Sequence, residues 1–314
     1  MSHTDSPRIL LGPQSPQPNL AAALAAAQLP AGPLAVISAG WQEAEGDLDV
    51  MTKIAQRPLT DLGLYERTET ILADDAVLAE AVRDRQHRLQ EQQRLYRMRL
   101  KQLSVAARKV LGAEGDSEML AAEQRHAIAQ LRALDRHHLH RCESLWKDFA
   151  GRYGIDSHAA IARHAGELRS VLRSCVGVLI PGGHIGVLLN RMRLLGVDRL
   201  LDATPIIAWS AGAMVLAERI VLYHDRSPEG RRDAEVLGAG CGIIPGHVFL
   251  PDTRSRLRPG DRSRVSLLCR RFAPDTCVAL DNGALLRLDG STVRQADNVR
   301  RLGHDGRLAG LRAA

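Results

Sequence analysis

The segment Pro205-Ile206-Ile207-Ala208-Trp209-Ser210-Ala211-Gly212-Ala213-Met214 drives an apolar, β-prone run into a serine followed at once by three very small residues. That pattern spells a strand–turn–helix elbow, a turn so sharp that the serine takes a strained backbone and only small neighbours fit beside it. The turn lifts the hydroxyl clear of a sheet, and the helix start behind it offers free N–H groups to a developing oxyanion. Such a hydroxyl becomes a nucleophile once a base takes its proton and a third group orients the base. Asp225 stands fifteen residues on, at the end of a buried-strand pattern over 219–224. His247 stands thirty-seven residues on, after the apolar run Ile243-Ile244 and a Pro245-Gly246 turn. Catalytic groups of a parallel α/β sheet gather beyond the carboxyl ends of strands, and both positions suit a triad there. The alternatives are a plain surface-loop histidine at 247 and competition at Asp225 from Asp233, Glu235 and the adjacent His224.

The order Ser210, Asp225, His247 at these spacings resembles the aspartyl dipeptidase (dipeptidase E) and cyanophycinase family of serine peptidases. The counterpart of that family's Gly-Gly-Asn segment is Val178-Leu179-Ile180-Pro181-Gly182-Gly183-His184. The similarity runs from about Val176 to Pro251, with weaker stretches from Leu34 to Trp41 and from Cys277 to Asp289. The resemblance implies a fold like that of class I glutamine amidotransferases, with Ser210 as nucleophile, His247 as base and Asp225 as its orienter. It implies an oxyanion hole from the N–H groups of Gly183 and Ala211, with Gly182 and His184 beside the substrate. It also implies small peptides with aspartyl or β-aspartyl residues as substrates. Three departures are visible: Ala208 replaces the first glycine of the elbow, His184 replaces the asparagine, and a long helical segment interrupts the chain. Acyl transfer by a serine calls for no metal or organic cofactor. A glutamine amidotransferase would carry cysteine at the elbow.

The elements that must hold these residues follow the alternation expected of a doubly wound, mostly parallel sheet. Pro33 to Ser38 reads as a first core strand, ending in Ala39-Gly40-Trp41-Gln42-Glu43, and Leu62 to Glu66 as a second. Trp41 and Glu43 either line the site or respectively pack the loop and face solvent. Arg254 and Arg256, with Arg258, either clamp a substrate carboxylate or are simply exposed. Asp156-Ser157 caps a helix to about Ser174; Val176 to Ile180 is a buried strand, and a helix spans about Val187 to Leu200. Near the end, Cys277 to Leu280 and Ala284 to Leu288 flank Asp281-Asn282-Gly283 and read as a C-terminal β-hairpin.

Between these parts the periodicity turns helical from Asp75 to about Lys109 and again from Ser117 to Gly151, broken by Gly112 to Asp116. This gives a domain plan of a mobile tail over 1–19, an α/β catalytic domain over 20–75 and 155–314, and a helical hairpin insertion over 76–154. Arg83, Arg85, Arg88, Arg94, Arg97, Arg99, Lys101, Arg108 and Lys109 make the first hairpin helix basic. They are a solvated face or a docking surface, and the apolar seam offers a homo-oligomer contact. A catalytically impaired chain acting as a binding or assembly module through that hairpin is one rival reading, and an esterase or amidase using the same triad is another. His137, His138, His140 and Cys142 cannot all point one way from a helix, which argues against a closed metal site.

Composition sets the outer limits. At 314 residues, 45% hydrophobic and 25% charged, the chain can bury a sizeable core and is not a disordered protein. The net charge of +6 comes with only 3% aromatic residues, so a base-stacking nucleic-acid surface is disfavoured. No run spans a bilayer. Five widely spaced cysteines without a C-x-x-C pair suggest reduced thiols in a cytoplasm.

Overall fold

The computed structural model describes residues 6–223, 233–257, 260–290 and 292–313. The first strand, β1 (Arg8–Leu11), is buried along its whole length, so this part of the expected tail is core. After α1 (Leu20–Ala27), β2 (Leu34–Val36), α2 (Asp49–Ala55) and β3 (Leu59–Asp61) complete the first third of the sheet. The second strand therefore lies just before the expected 62–66, because α3 (Leu64–Asp74) claims those residues once Gly63 has turned the chain at a φ of 60°.

Two helices of 36 residues follow, α4 (Ala76–Leu111) and α5 (Ser117–Arg152), each about 54 Å long at 1.5 Å per residue. Asp75 and Asp116 cap them by accepting backbone N–H groups of their first turns. Then come α6 (Ala159–Ser174), β4 (Val178–Ile180), α7 (Ile185–Leu194), β5 (Ile206–Trp209) and the short α8 (Ala211–Val215). The chain ends with β6 (Arg219–Leu222), β7 (Glu235–Ala239), β8 (His247–Pro251), α9 (Thr253–Arg256), α10 (Arg262–Phe272), β9 (Thr276–Leu280), β10 (Leu285–Asp289), β11 (Thr292–Asp297), β12 (Arg300–Leu302) and β13 (Leu308–Gly310).

The main sheet has seven strands in the order β11-β10-β1-β5-β4-β2-β3. The five strands from β1 to β3 are parallel, and β10 and β11 add an antiparallel edge. This is a mixed α/β fold built on a large, parallel-rich sheet. Successive residues face opposite layers, as strand geometry requires: Ile9 and Leu11 meet Leu20, Ala23 and Met51 of α1 and α2, while Leu10 joins Leu64, Leu168 and Leu188 across the sheet.

A second, four-stranded sheet runs β13-β12-β9-β8, and β6 pairs with β7 in a small antiparallel sheet. The expected hairpin around Asp281-Asn282-Gly283 is not formed, because β9 and β10 enter different sheets. Asp281 instead accepts from Thr253 Oγ1 at 2.9 Å and from the Arg254 N–H at 3.0 Å. Asn282 donates to the carbonyl oxygen of Pro13 at 2.8 Å, so the turn works as a crossover tied to both sheets. The antiparallel pairs at this end include β10–β11 and β1–β10 in the main sheet and β12–β13 and β9–β12 in the second.

The helix pair lies against β7 and α10 rather than standing clear. Tyr96, Leu100, Leu131 and Leu134 share a buried cluster with Val236, Val248, Leu268 and Phe272. The basic run of α4 divides accordingly. Arg97 pairs with Glu235 and Arg108 with Asp233, while Arg85 is only 7% exposed.

Candidate functional site

β5, β4 and β2 are neighbours in the main sheet, and the loops at their carboxyl ends converge. Ser210 follows β5 with φ 52° and ψ −122°, the strained turn read from the sequence, at a typical cost of about 1–3 kcal/mol. Gly182 in the loop after β4 lies against it: a Cβ at Gly182 would stand 2.8 Å from Ser210 Cβ and 3.5 Å from its Oγ. Gly212 presses still closer to β4, where a Cβ would come within 2.0 Å of the Ile180 carbonyl oxygen. Only glycine allows these approaches.

The β4 loop is braced in turn by the β2 loop. The His184 N–H donates to the Gly40 carbonyl at 2.6 Å. Gly183, at φ +116°, has Gly40 where its Cβ would be, with the Gly40 oxygen only 2.3 Å from that point. The sequence marks the small-residue loop Ala39 to Glu43 as lying at the active-site edge but gives Gly40 no role of its own; its contact with Gly183 supplies one. Gln42, two residues on, has φ 58° and ψ −122°, the same backbone conformation as Ser210. Among the described residues no acceptor engages the N–H of Gly183 or of Ala211.

His247 does not follow a strand; it opens β8, which packs against α8. The chain is led there by bonds to the end of the elbow helix, from Cys241 N–H to the Val215 carbonyl at 2.7 Å and from Ile244 N–H to the Leu216 carbonyl at 2.9 Å. The His247 ring is 7% exposed and stacks on Phe249 at 5.6 Å. Its Nδ1 lies 2.8 Å from the Pro245 carbonyl oxygen. A carbonyl only accepts, so Nδ1 carries the proton and Nε2 holds the lone pair that a general base needs.

Asp225 lies outside the described residues. A carboxylate that the sequence reading missed, Asp275, stands beside His247 electrostatically and pairs with Arg219 at 2.8 Å. Burial raises its pKa, against the pull of Arg219. Glu218 accepts the Gly246 N–H at 3.2 Å and the Thr276 N–H donates to the Gly246 carbonyl at 2.9 Å, which fixes the turn before His247. The available signal for Asp275 was an acid placed directly before the apolar run of β9.

The outer candidates divide. His184 is exposed and its Nδ1 accepts the Val187 N–H at 3.1 Å, so it caps α7 while its other nitrogen faces outward. Trp41 packs on the layer of α1 and α2. Glu43 is exposed and accepts from the Tyr65 hydroxyl at 2.9 Å; its own backbone N–H and then Tyr65 hold its pKa low. Arg254 and Arg256 are not brought to His247. They sit on α9 beyond the far end of β8, roughly 16 Å away along the strand at ~3.3 Å per residue, and lie near Asp281 at 4.0 Å and Asp252 at 3.8 Å. Arg258 lies outside the described residues. The His137–Cys142 cluster gathers no metal set among the described residues: His138 is buried on Tyr96, with ring centroids 4.1 Å apart. No helix among the described residues is long and apolar enough to cross a membrane.

No family model and no curated protein matches the chain. Among solved structures it is similar to a peptidase from an acI-B1 Actinobacterium, at TM-score 0.46 and 13% identity over 97% of this chain and 93% of that one. It is also similar to a "Putative Peptidase E Protein" from Listeria monocytogenes EGD-e, at TM-score 0.30 and 18% identity over 44% of this chain and 65% of that one. At such scores neither likeness adds to the geometry of the site.

Proposed function

We propose that the chain is a serine hydrolase, a peptidase of small aspartyl or β-aspartyl peptides that works through an acyl-enzyme. The observation that carries this reading is the backbone of Ser210, at φ 52° and ψ −122°, with Gly182 pressed against its side chain. Gln42 holds the same backbone without a nucleophile, so what supports the reading is strain, a hydroxyl and glycine-tight neighbours meeting at one residue. The substrate class rests on the resemblance of the Ser210, Asp225, His247 order to aspartyl dipeptidases and cyanophycinases.

In this reading Ser210 Oγ attacks the peptide carbonyl carbon while His247 Nε2 takes the hydroxyl proton. The carbonyl oxygen becomes an oxyanion and is met by the N–H groups of Gly183 and Ala211. His247 then gives its proton to the departing amine as the C–N bond breaks. Water, deprotonated by His247, releases the acid and restores Ser210. The resemblance makes Asp225 the orienter of the imidazole, sharing its Nδ1–H with the Pro245 carbonyl, and Asp275 keeps negative charge near the imidazolium.

The test is intact-mass analysis after treatment with a serine-directed phosphonate. A single adduct on the wild type, absent in Ser210→Ala and in His247→Ala, is expected, followed by turnover of aspartyl dipeptides. Turnover of small esters alone would replace the peptidase by an esterase. A folded wild type without an adduct would sink the hydrolase reading and favour a binding module acting through α4 and α5.

A further inference from the structure

A cleft of about 240 Å³ opens where α4, α5, α7 and β7 meet, and none of Ser210, His247, Gly182 or Gly183 lines it. Arg85 forms part of its wall and is 7% exposed. A guanidinium taken out of water ordinarily has a carboxylate beside it, because the desolvated charge is otherwise uncompensated. Arg85 has none. Its Nη2 donates to Asn190 Oδ1, a neutral acceptor, at 3.2 Å. Its Nε is buried without a partner. The rings of Trp146 and Phe149 lie 4.9 Å from its centre.

The surrounding charges add to the imbalance. Burial, then Arg193 and Arg191, bring the Arg85 pKa down to about 10. Arg191 is matched by Glu69 at 2.6 Å, and Arg97 in the same cleft by Glu235. Arg193 lines the cleft and donates to the backbone carbonyls of Ala239 and Gly240, at 3.1 and 3.2 Å. The acid in the lining, Glu143, is shared with Lys147 at 3.9 Å. Asp198 lies within electrostatic reach of Arg193, so the unmatched charge facing the cleft sits on Arg85.

We propose that this cleft binds a small organic anion, whose carboxylate or phosphate oxygens accept from Arg85 Nη1–H, the guanidinium nitrogen neither bonded to Asn190 nor sealed off like Nε, and from Arg193. The carbon part of the ligand lies against Leu89, Leu189 and Trp146, which supply the apolar lining. The cleft falls below the ~300–1,000 Å³ of drug-sized sites, which limits the ligand to a compact anion. Guanidinium groups suit this task because their planar forks match carboxylate and phosphate oxygens. The site stands apart from the serine chemistry, so Ser210→Ala leaves it intact.

The test is thermal unfolding of the full chain with inorganic phosphate, and separately with succinate, against sodium chloride at equal ionic strength. Phosphate also stabilises proteins generally by exclusion from their surfaces, so the variants decide. The wild-type Tm is expected to rise by about 3 °C at ten times the dissociation constant. That rise should vanish in Arg85→Met, and in Asn190→Asp, which places a carboxylate beside the guanidinium. Without anion neither variant should melt below the wild type, since Arg85→Met removes the uncompensated buried charge and Asn190→Asp matches it. A response to phosphate alone or to succinate alone names the head group. No rise above chloride in the wild type, or an equal rise in Asn190→Asp, overturns the proposal; the second comparison holds even where Arg85→Met does not fold.

Discussion

Gly182 and Ser210 are in contact across two strand ends, with 2.8 Å between the serine Cβ and the point where a Cβ on the glycine would stand. The contact makes the serine's orientation depend on a residue with no side chain.

Gly182→Ala must therefore push the elbow away from the β4 loop. Overpacking of this kind costs about 1–3 kcal/mol, and labelling of Ser210 by the phosphonate should slow by at least tenfold. Gly151→Ala, in a helix with open space around it, is the control and should gain roughly 0.5–1 kcal/mol. An unchanged labelling rate in Gly182→Ala would separate the glycine from the reactivity of the serine.

A second prediction concerns the core under α4 and α5. Arg271 of α10 is 4% exposed and donates to Asp135 at 2.6 and 2.7 Å, while the Tyr96 hydroxyl donates to Asp135 Oδ1 at 2.9 Å. Asp135→Ala strands a buried cation and should cost about 3–5 kcal/mol in denaturant unfolding. Replacing both partners by Leu and Met should recover most of that loss. A cost below about 1 kcal/mol for Asp135→Ala would mean that water reaches Arg271.

The third is a pH dependence. His138 is fully buried against Tyr96, and burial lowers its pKa from 6.5, partly opposed by the Leu237 backbone and then by Asp135 and Glu235. As pH falls through 6.5 the unfolded chain takes up a proton that the native state refuses. Stability is then lost until the native group also titrates. The melting temperature should fall from pH 7.5 to pH 5.5, and less so in His138→Phe, which keeps the stacking but removes the titrating group. Parallel curves for the two proteins would exclude His138 as the source.

The elbow was legible because its chemistry is local: an apolar run, a serine and three small residues leave few other conformations. The two long helices were legible for the same reason, through apolar spacing and the break at Gly112 to Asp116. What escaped depends on partners far along the chain. The four residues of β1 are hidden in a Pro-, Ser- and Gln-rich stretch, and only their pairing with β5 and β10 makes them a strand. The turn at Asp281 looked like a hairpin because Asp-Asn-Gly suits one, but Thr253, Arg254 and Arg300 bind its acid and divert the chain. Arg85 looked like one more charge of a basic run. Its spacing from Leu78 and Ala81 puts it on the inward face of α4, and that periodicity outweighs its charge.

The position of β1 also bears on how the molecule is made. Its partners, Ile206–Trp209 and Leu285–Asp289, are translated long after it. At ribosomal speeds of ~5–20 residues per second, roughly 10–40 s pass before β5 emerges. The antiparallel neighbour comes later still. Throughout that wait an apolar strand with two open edges sits on the nascent chain, which is the kind of segment that chaperones hold.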